Sequence, residues 1–297
     1  MTSDQQLHQR NGLFAAFAAF SLWGFAPLYF KLLGSVAATE IIAHRIIWSV
    51  VCLGLILVLR HRARVLAHIR LPLKTLLTLG LSGLVIGANW LIFVYAVNTD
   101  RILSTSLGYF INPLVSVALG MLVFKERLNG LQAIAVLLAA TGTLYLTIQG
   151  GSFPWIALSL AFSFGTYGLI RKQLDVGPMV GLFWETLLFL PFAIAWLLVL
   201  ADKDILTGDF TNLREGLTLI GTGLITVFPL VLFAAGVRRL NLSTIGLMQY
   251  IAPSLSFCMA VFLFKEPFGV DHAITFGCIW LGLALYSYSS WKSQPRV

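Results

Sequence analysis

From Gly12 to Ser289 the chain falls into ten apolar runs, mostly about 20 residues long, separated by short polar connections. They lie at about Gly12–Leu33, Val36–Leu59, Leu73–Val97, Ile102–Phe124, Asn129–Ile148, Phe153–Ile170, Pro178–Leu200, Gly216–Val237, Ser243–Phe264 and Gly269–Ser289. A helix of that length spans the roughly 30 Å of hydrocarbon in a bilayer. Only helices and closed barrels can cross without leaving backbone groups unsatisfied. A barrel strand alternates polar and apolar residues, and these runs do not. They predict an all-α integral membrane protein with ten transmembrane helices. Charged residues are 11% of the chain, against about 25% in a soluble domain, and the longest connections, 60–72 and 201–215, are too short to fold alone.

The chain is also a duplication. Leu103-Ser104-Thr105, running through Ile111-Asn112-Pro113 to Phe124-Lys125-Glu126, returns as Leu242-Ser243-Thr244 through Ile251-Ala252-Pro253 to Phe264-Lys265-Glu266. The offset is 139 at the Ser-Thr pair and 140 at the Pro and the Phe-Lys-Glu. Gly24 aligns with Gly165, Lys31 with Lys172, and Gly142 with Gly282. The expected organisation is a polar tail over 1–11, a first five-helix repeat over 12–150, a second over 151–290 and a tail over 291–297. Five is odd, so the second repeat must enter the membrane upside down.

Lys and Arg set the orientation. With the N-terminus cytoplasmic, fourteen of them fall on the cytoplasmic side and five (Lys31, Arg101, Lys203, Arg214 and Lys265) outside, while Arg45 lies within a span. The positive-inside rule then puts both termini in the cytoplasm and accounts for the net charge of +8 without nucleic acid. The run after the polar Met1–Asn11 is too long for a cleaved signal, so the first span is expected to persist. Inverted repeats underlie many alternating-access transporters. They also occur in channels and inert scaffolds, and those readings stay open.

Several residues could carry chemistry. Pro113 and Pro253 fall near the middle of the fourth and ninth spans, where each would free a backbone carbonyl, and Tyr109 and Asn112, or Gln249 and Tyr250, precede them. An ordinary kink is the alternative to a cavity there. The third span adds Asn89, Trp90 and Tyr95, and Trp23, Trp90 and Trp184 lie deeper than the usual interfacial belt. Glu40, His44 and Arg45 share the second span, where a charge near the midplane is costly unless paired. Glu185 aligns with His44, so an Arg45–Glu185 ion pair is expected, with Glu40 and His44 as a proton relay or the whole group as a structural tie. Cys52, Cys258 and Cys278 show no CxxC or nearby His and read as small core residues, with no metal site and no cofactor implied. No phosphate-loop motif, H-E-x-x-H or G-x-S-x-G is present, which argues against ATP hydrolysis and membrane hydrolases.

These features resemble the EamA-type transporters of the drug/metabolite transporter superfamily, and in particular the RarD branch. The resemblance rests on the two five-span repeats and on the acidic turns Phe124-Lys125-Glu126-Arg127-Leu128 and Phe264-Lys265-Glu266-Pro267-Phe268. It rests further on Glu40 with His44-Arg45 and Trp48, Asn89-Trp90 with Tyr95-Ala96-Val97-Asn98, and Ser106 through Pro113-Leu114. It implies a permease of the bacterial inner membrane, not an enzyme, that exports small metabolites such as amino acids or related compounds. It also implies a central cavity between the repeats and peripheral fifth and tenth spans suited to a homodimer.

Overall fold

The computed structural model describes residues 3–61, 69–124, 129–149, 153–237 and 248–292. The second copy of the Ser-Thr pair at 243–244, the charged residues Lys125, Glu126 and Arg127, and Arg238-Arg239 lie outside the described residues. Among the described residues the chain is helical and contains no strand. The first span is α1 (Ser3–Gly24) continued by the short α2 (Ala26–Lys31), followed by α3 (Ala38–His61), α4 (Leu73–Asn98), α5 (Ile102–Phe124) and α6 (Gly130–Gln149). The second repeat comprises α7 (Trp155–Lys172), α8 (Pro178–Asp202), α9 (Leu213–Val237), α10 (Ile251–Cys258) with a π turn at Met259–Leu263, and α11 (Val270–Lys292). Five helices, including α3, α4 and α8, are by length and composition long and apolar enough to cross a membrane. Outward residues suit hydrocarbon: Leu77, Leu81 and Leu84 line one face of α4, and Leu137, Leu144 and Ile148 one face of the shorter apolar α6, all exposed.

The helix contacts are those of a two-fold pseudo-symmetric bundle. Contacts between α1 and α9 match those between α7 and α4; α3 with α9 matches α8 with α4; α1 with α10 matches α7 with α5. Equivalent spans meet at the axis as α3 with α8, α5 with α10 and α6 with α11. At the last of these a Cβ on Gly142 would meet Thr275, and one on Gly282 would meet the Ala135 carbonyl. Ascending α6 thus descends α11, so equivalent helices run antiparallel. The same sense holds in α5 and α10, where Phe110 stacks near Tyr250 and the start of α5 meets Glu266. This is the structural signature of two inverted five-helix repeats. Small residues let these helices approach closely, the usual route to association where lipid is as apolar as the side chains.

At the Lys31 end of the bundle, polar bonds cross between the repeats. Glu40 accepts hydrogen bonds from the Thr207 backbone (2.9 Å), the Thr207 hydroxyl (2.7 Å) and the Gly208 backbone (3.0 Å). Tyr29 donates to the Thr218 carbonyl at 2.5 Å. Glu266 accepts from Ile102 N–H (2.6 Å) and Leu103 N–H (2.7 Å), supplying negative charge where the orphan donors and dipole of α5 favour it. Burial pushes the Glu266 carboxyl up from its ordinary range, while those two backbone donors pull it down. Glu266→Gln leaves one acceptor oxygen for two donors and is expected to cost roughly 1–2 kcal/mol. An unchanged melting temperature of the purified variant would remove Glu266 from the cap.

Two expectations are corrected here. Pro253 does not kink a continuous helix: Gln249 and Tyr250 form a turn and α10 begins at Ile251. Pro253 therefore sits in a first turn, where its missing N–H forfeits no ladder bond. Pro113 lies within α5, but its side chain is outside what the structure describes. The three cysteines are free, and Cys258 is exposed instead of packed inside.

Candidate functional site

The site begins with a glycine. A Cβ at Gly223 on α9 would lie 2.5 Å from the Trp48 carbonyl carbon and 2.6 Å from its Cβ and oxygen on α3, so these two backbones cross as closely as they do only because Gly223 has no side chain. Three residues along α9, on the same face, Thr226 is thereby brought to Arg45, whose Nε donates to the Thr226 hydroxyl at 2.7 Å. Thr226 in turn donates back to the Thr222 carbonyl at 2.8 Å. The Arg45 guanidinium lies 4.2 Å from the Trp90 ring centroid and 5.5 Å from that of Phe30, close enough for cation–π attraction on both.

Arg45 faces a central cavity of about 120 Å³. Its aromatic lining comes from Phe20 and Trp23 of α1, Phe30 of α2, Trp90 and Phe93 of α4, Tyr109 of α5 and Phe164 of α7. Ile225 of α9, Gln249, and Ala252, Pro253 and Ser256 at the start of α10 complete it. Both repeats therefore contribute, and Tyr109 and Gln249 occupy equivalent positions at the 140-residue offset. A second space of about 290 Å³ lies between α3, α4 and α8 and contains Glu185 and Thr186. It is larger but almost wholly apolar, so the first, with Arg45, Tyr109, Gln249 and Ser256 converging on it, has the character of a ligand site. Trp90 lines both.

Residues 10–148 and, separately, 153–288 match the EamA-like transporter family. The chain belongs to this family. Within the EamA-like transporters, an "Uncharacterized transporter" of Vibrio cholerae is 44% identical over 99% of this chain and 97% of its own length. "Protein RarD" of Escherichia coli is 42% identical over 97% of both chains. "Chloramphenicol-sensitive protein RarD" of Pseudomonas aeruginosa is 31% identical over 94% of both. The chain is thus an EamA-type membrane transporter of the RarD branch. A crystal structure of another protein, 19% identical, superposes with a TM-score of 0.62 over 95% of this chain and 98% of that one, a likeness of fold alone.

Against this EamA frame the expected residues separate. Trp90, Tyr109 and Gln249 line the central cavity. Asn89 does not; its amide donates to the Leu160 carbonyl (3.0 Å) and the Ser163 hydroxyl (2.8 Å), tying α4 to α7. Tyr95 is exposed and packs near Trp155. Asn112 is buried, its Oδ1 without a hydrogen-bond partner among the described residues, and Tyr250 stacks near Phe110.

The expected Arg45–Glu185 ion pair is absent. Glu185 accepts from Ser82 (2.7 Å) and Tyr167 (3.3 Å) and lies 3.7 Å from Arg171. The inverted symmetry explains this. Arg45 lies seven residues into α3 and Glu185 seven into α8, but the two antiparallel helices start at opposite ends of the bundle, so equal depths leave the residues about 15 Å apart along the axis at ~1.5 Å per residue. Glu40 and His44 also stand apart from the cavity: Glu40 is saturated by the 207–208 loop, and His44 packs 5.1 Å from Phe210. Among the described residues no hydrogen bond joins either to Arg45, so the geometry shows no relay. Thr226, Phe30, Phe93 and Phe164 were not anticipated, because an aromatic at helical spacing reads the same in a core as in a cavity wall, and a threonine whose hydroxyl bonds back to the preceding turn, as Thr226 does to Thr222, gives no sequence signal of a second partner.

Proposed function

We propose that this EamA-type protein is a secondary transporter that moves a small organic metabolite across the bacterial inner membrane by alternating access, with both termini cytoplasmic and the central aromatic cavity as its substrate site. The observation that carries the reading is the placement of that cavity on the pseudo-two-fold interface, lined by five helices of one repeat and three elements of the other. A carrier of this design opens one side when the repeats exchange conformations. On the proposed orientation, the Glu40, Tyr29 and Glu266 bonds close the outer side and would have to break for outward opening.

Counterflow in proteoliposomes tests the proposal. Vesicles loaded with an unlabelled metabolite extract and given labelled single components should show trans-stimulated uptake for at least one. Uptake without trans-stimulation identifies a passive channel, and no uptake of any component a scaffold. A cross-link between Cys residues placed at 40 and 207 should abolish counterflow and restore it on reduction; full activity in the cross-linked protein would rule out motion at this end.

A further inference from the structure

The central cavity has one property that neither the family nor the fold assigns. Among the described residues Arg45 is the only charged one in its lining; it is 7% exposed and has no carboxylate partner among them: Glu185 is taken by Arg171, and Glu40 by the 207–208 loop. A buried cation without a counter-charge is costly. Its one hydrogen bond among the described residues uses Nε, and Trp90 and Phe30 rings lie against it. Toward the described residues the Nη pair therefore retains its donors, in the planar fork that matches a carboxylate with two parallel bonds.

From this we infer that the substrate is an aromatic carboxylate, held by Arg45 through its acid group and by Phe30, Trp90, Phe93 and Phe164 through its ring. This rests on the reading of the cavity as the substrate site. The size agrees: about 120 Å³ is near the ~150 Å³ of a cavity known to hold benzene, so one ring is accommodated. An ammonium group would find no carboxylate among the described lining residues, so a simple aromatic acid is favoured over an aromatic amine. Thr226 is a positioning residue that fixes the guanidinium plane.

Trp23 and Trp90 in the lining supply the readout. Purified protein in detergent is titrated with three nitroaromatic quenchers of equal size, 4-nitrobenzoate, 4-nitrobenzyl alcohol and 4-nitrobenzylamine. The expected result is a saturable partial quench, with an apparent Kd for 4-nitrobenzoate at least tenfold below those of the other two, as a charged hydrogen-bonded pair would give. Thr226→Val should shrink that preference several-fold while leaving the alcohol unchanged, and Arg45→Gln should abolish it. Should Arg45→Gln not fold, the ranking in the unaltered protein still decides. Binding of the alcohol or amine as tight as that of 4-nitrobenzoate, or no saturable quench by 4-nitrobenzoate, overturns the assignment. Preferential binding of 4-nitrobenzoate without counterflow of any compound would uphold the anion site and defeat the transporter reading. Counterflow of amines in preference to acids would do the reverse.

Discussion

Glu185→Ala is expected to destabilise the folded protein by about 3 kcal/mol, because removing one member of a buried ion pair strands the other. The Glu185 side chain is 1% exposed and that of Arg171 14%. Arg171 lies next to the last residue of α7, where its guanidinium can reach toward water, so the lower end of the usual range applies. Arg171→Met should recover most of that loss in the double variant. Arg45→Gln should add to it independently, since the two sites share no partner. Reversible unfolding in mixed micelles measures the unaltered protein, the three single variants and the two double variants. If Arg45→Gln recovered the loss instead, the two residues would have to be neighbours, and the inverted placement of α3 and α8 would be wrong.

The second large effect is expected at Gly223. Its Ala variant must push α9 away from the Trp48 backbone by close to an ångström, since 2.5 Å is far inside carbon contact distance, and overpacking of this kind costs about 1–3 kcal/mol. Gly223→Leu should yield no folded protein. Since α3 and α9 also carry Arg45 and Thr226, the Ala variant should additionally weaken solute binding in the cavity beyond its loss of stability. A Gly223→Ala protein with unaltered melting temperature and unaltered ligand affinity would show that the crossing is looser than described. Gly83, the equivalent glycine 140 residues earlier, would bring a Cβ to 2.8 Å from the Phe189 ring and 3.0 Å from the Glu185 carbonyl oxygen, and is expected to tolerate Ala better because its tightest contact is a ring that can move and its backbone contact is looser than that at Gly223.

The fold was largely legible in the sequence because bilayer physics leaves few choices. Apolar runs of helical length, an odd number of spans per repeat, and the recurrence of Pro and Phe-Lys-Glu led to inverted repeats, which the antiparallel contacts of Gly142 with Thr275 and of Gly282 with Ala135 display. The site was legible only in part. Trp90, Tyr109 and Gln249 face the cavity, but Asn89 ties helices together instead, since a buried amide is satisfied equally by a neighbouring carbonyl or by a ligand. The Arg45–Glu185 error came from treating distance to the midplane as position. Two residues at equal distance can stand on opposite sides, and in an inverted repeat equivalent residues always do. Pro253 was misjudged because local sequence does not disclose a helix break at Gln249–Tyr250.

The pattern of helix contacts bears on how the chain is made. The extensive packing of α1 against α9, α3 against α8 and α9, α4 and α5 against α7, and α6 against α11 joins one half to the other, whereas among the described residues a half packs little within itself. The first five helices therefore leave the translocon without their partners and wait in the bilayer until the remainder has been synthesised. Contacts so remote in sequence form late and slowly. Although the gene was doubled, neither copy is a unit of biogenesis, and truncation after residue 150 should leave membrane-inserted but unassembled helices for quality-control proteolysis instead of a half-sized domain.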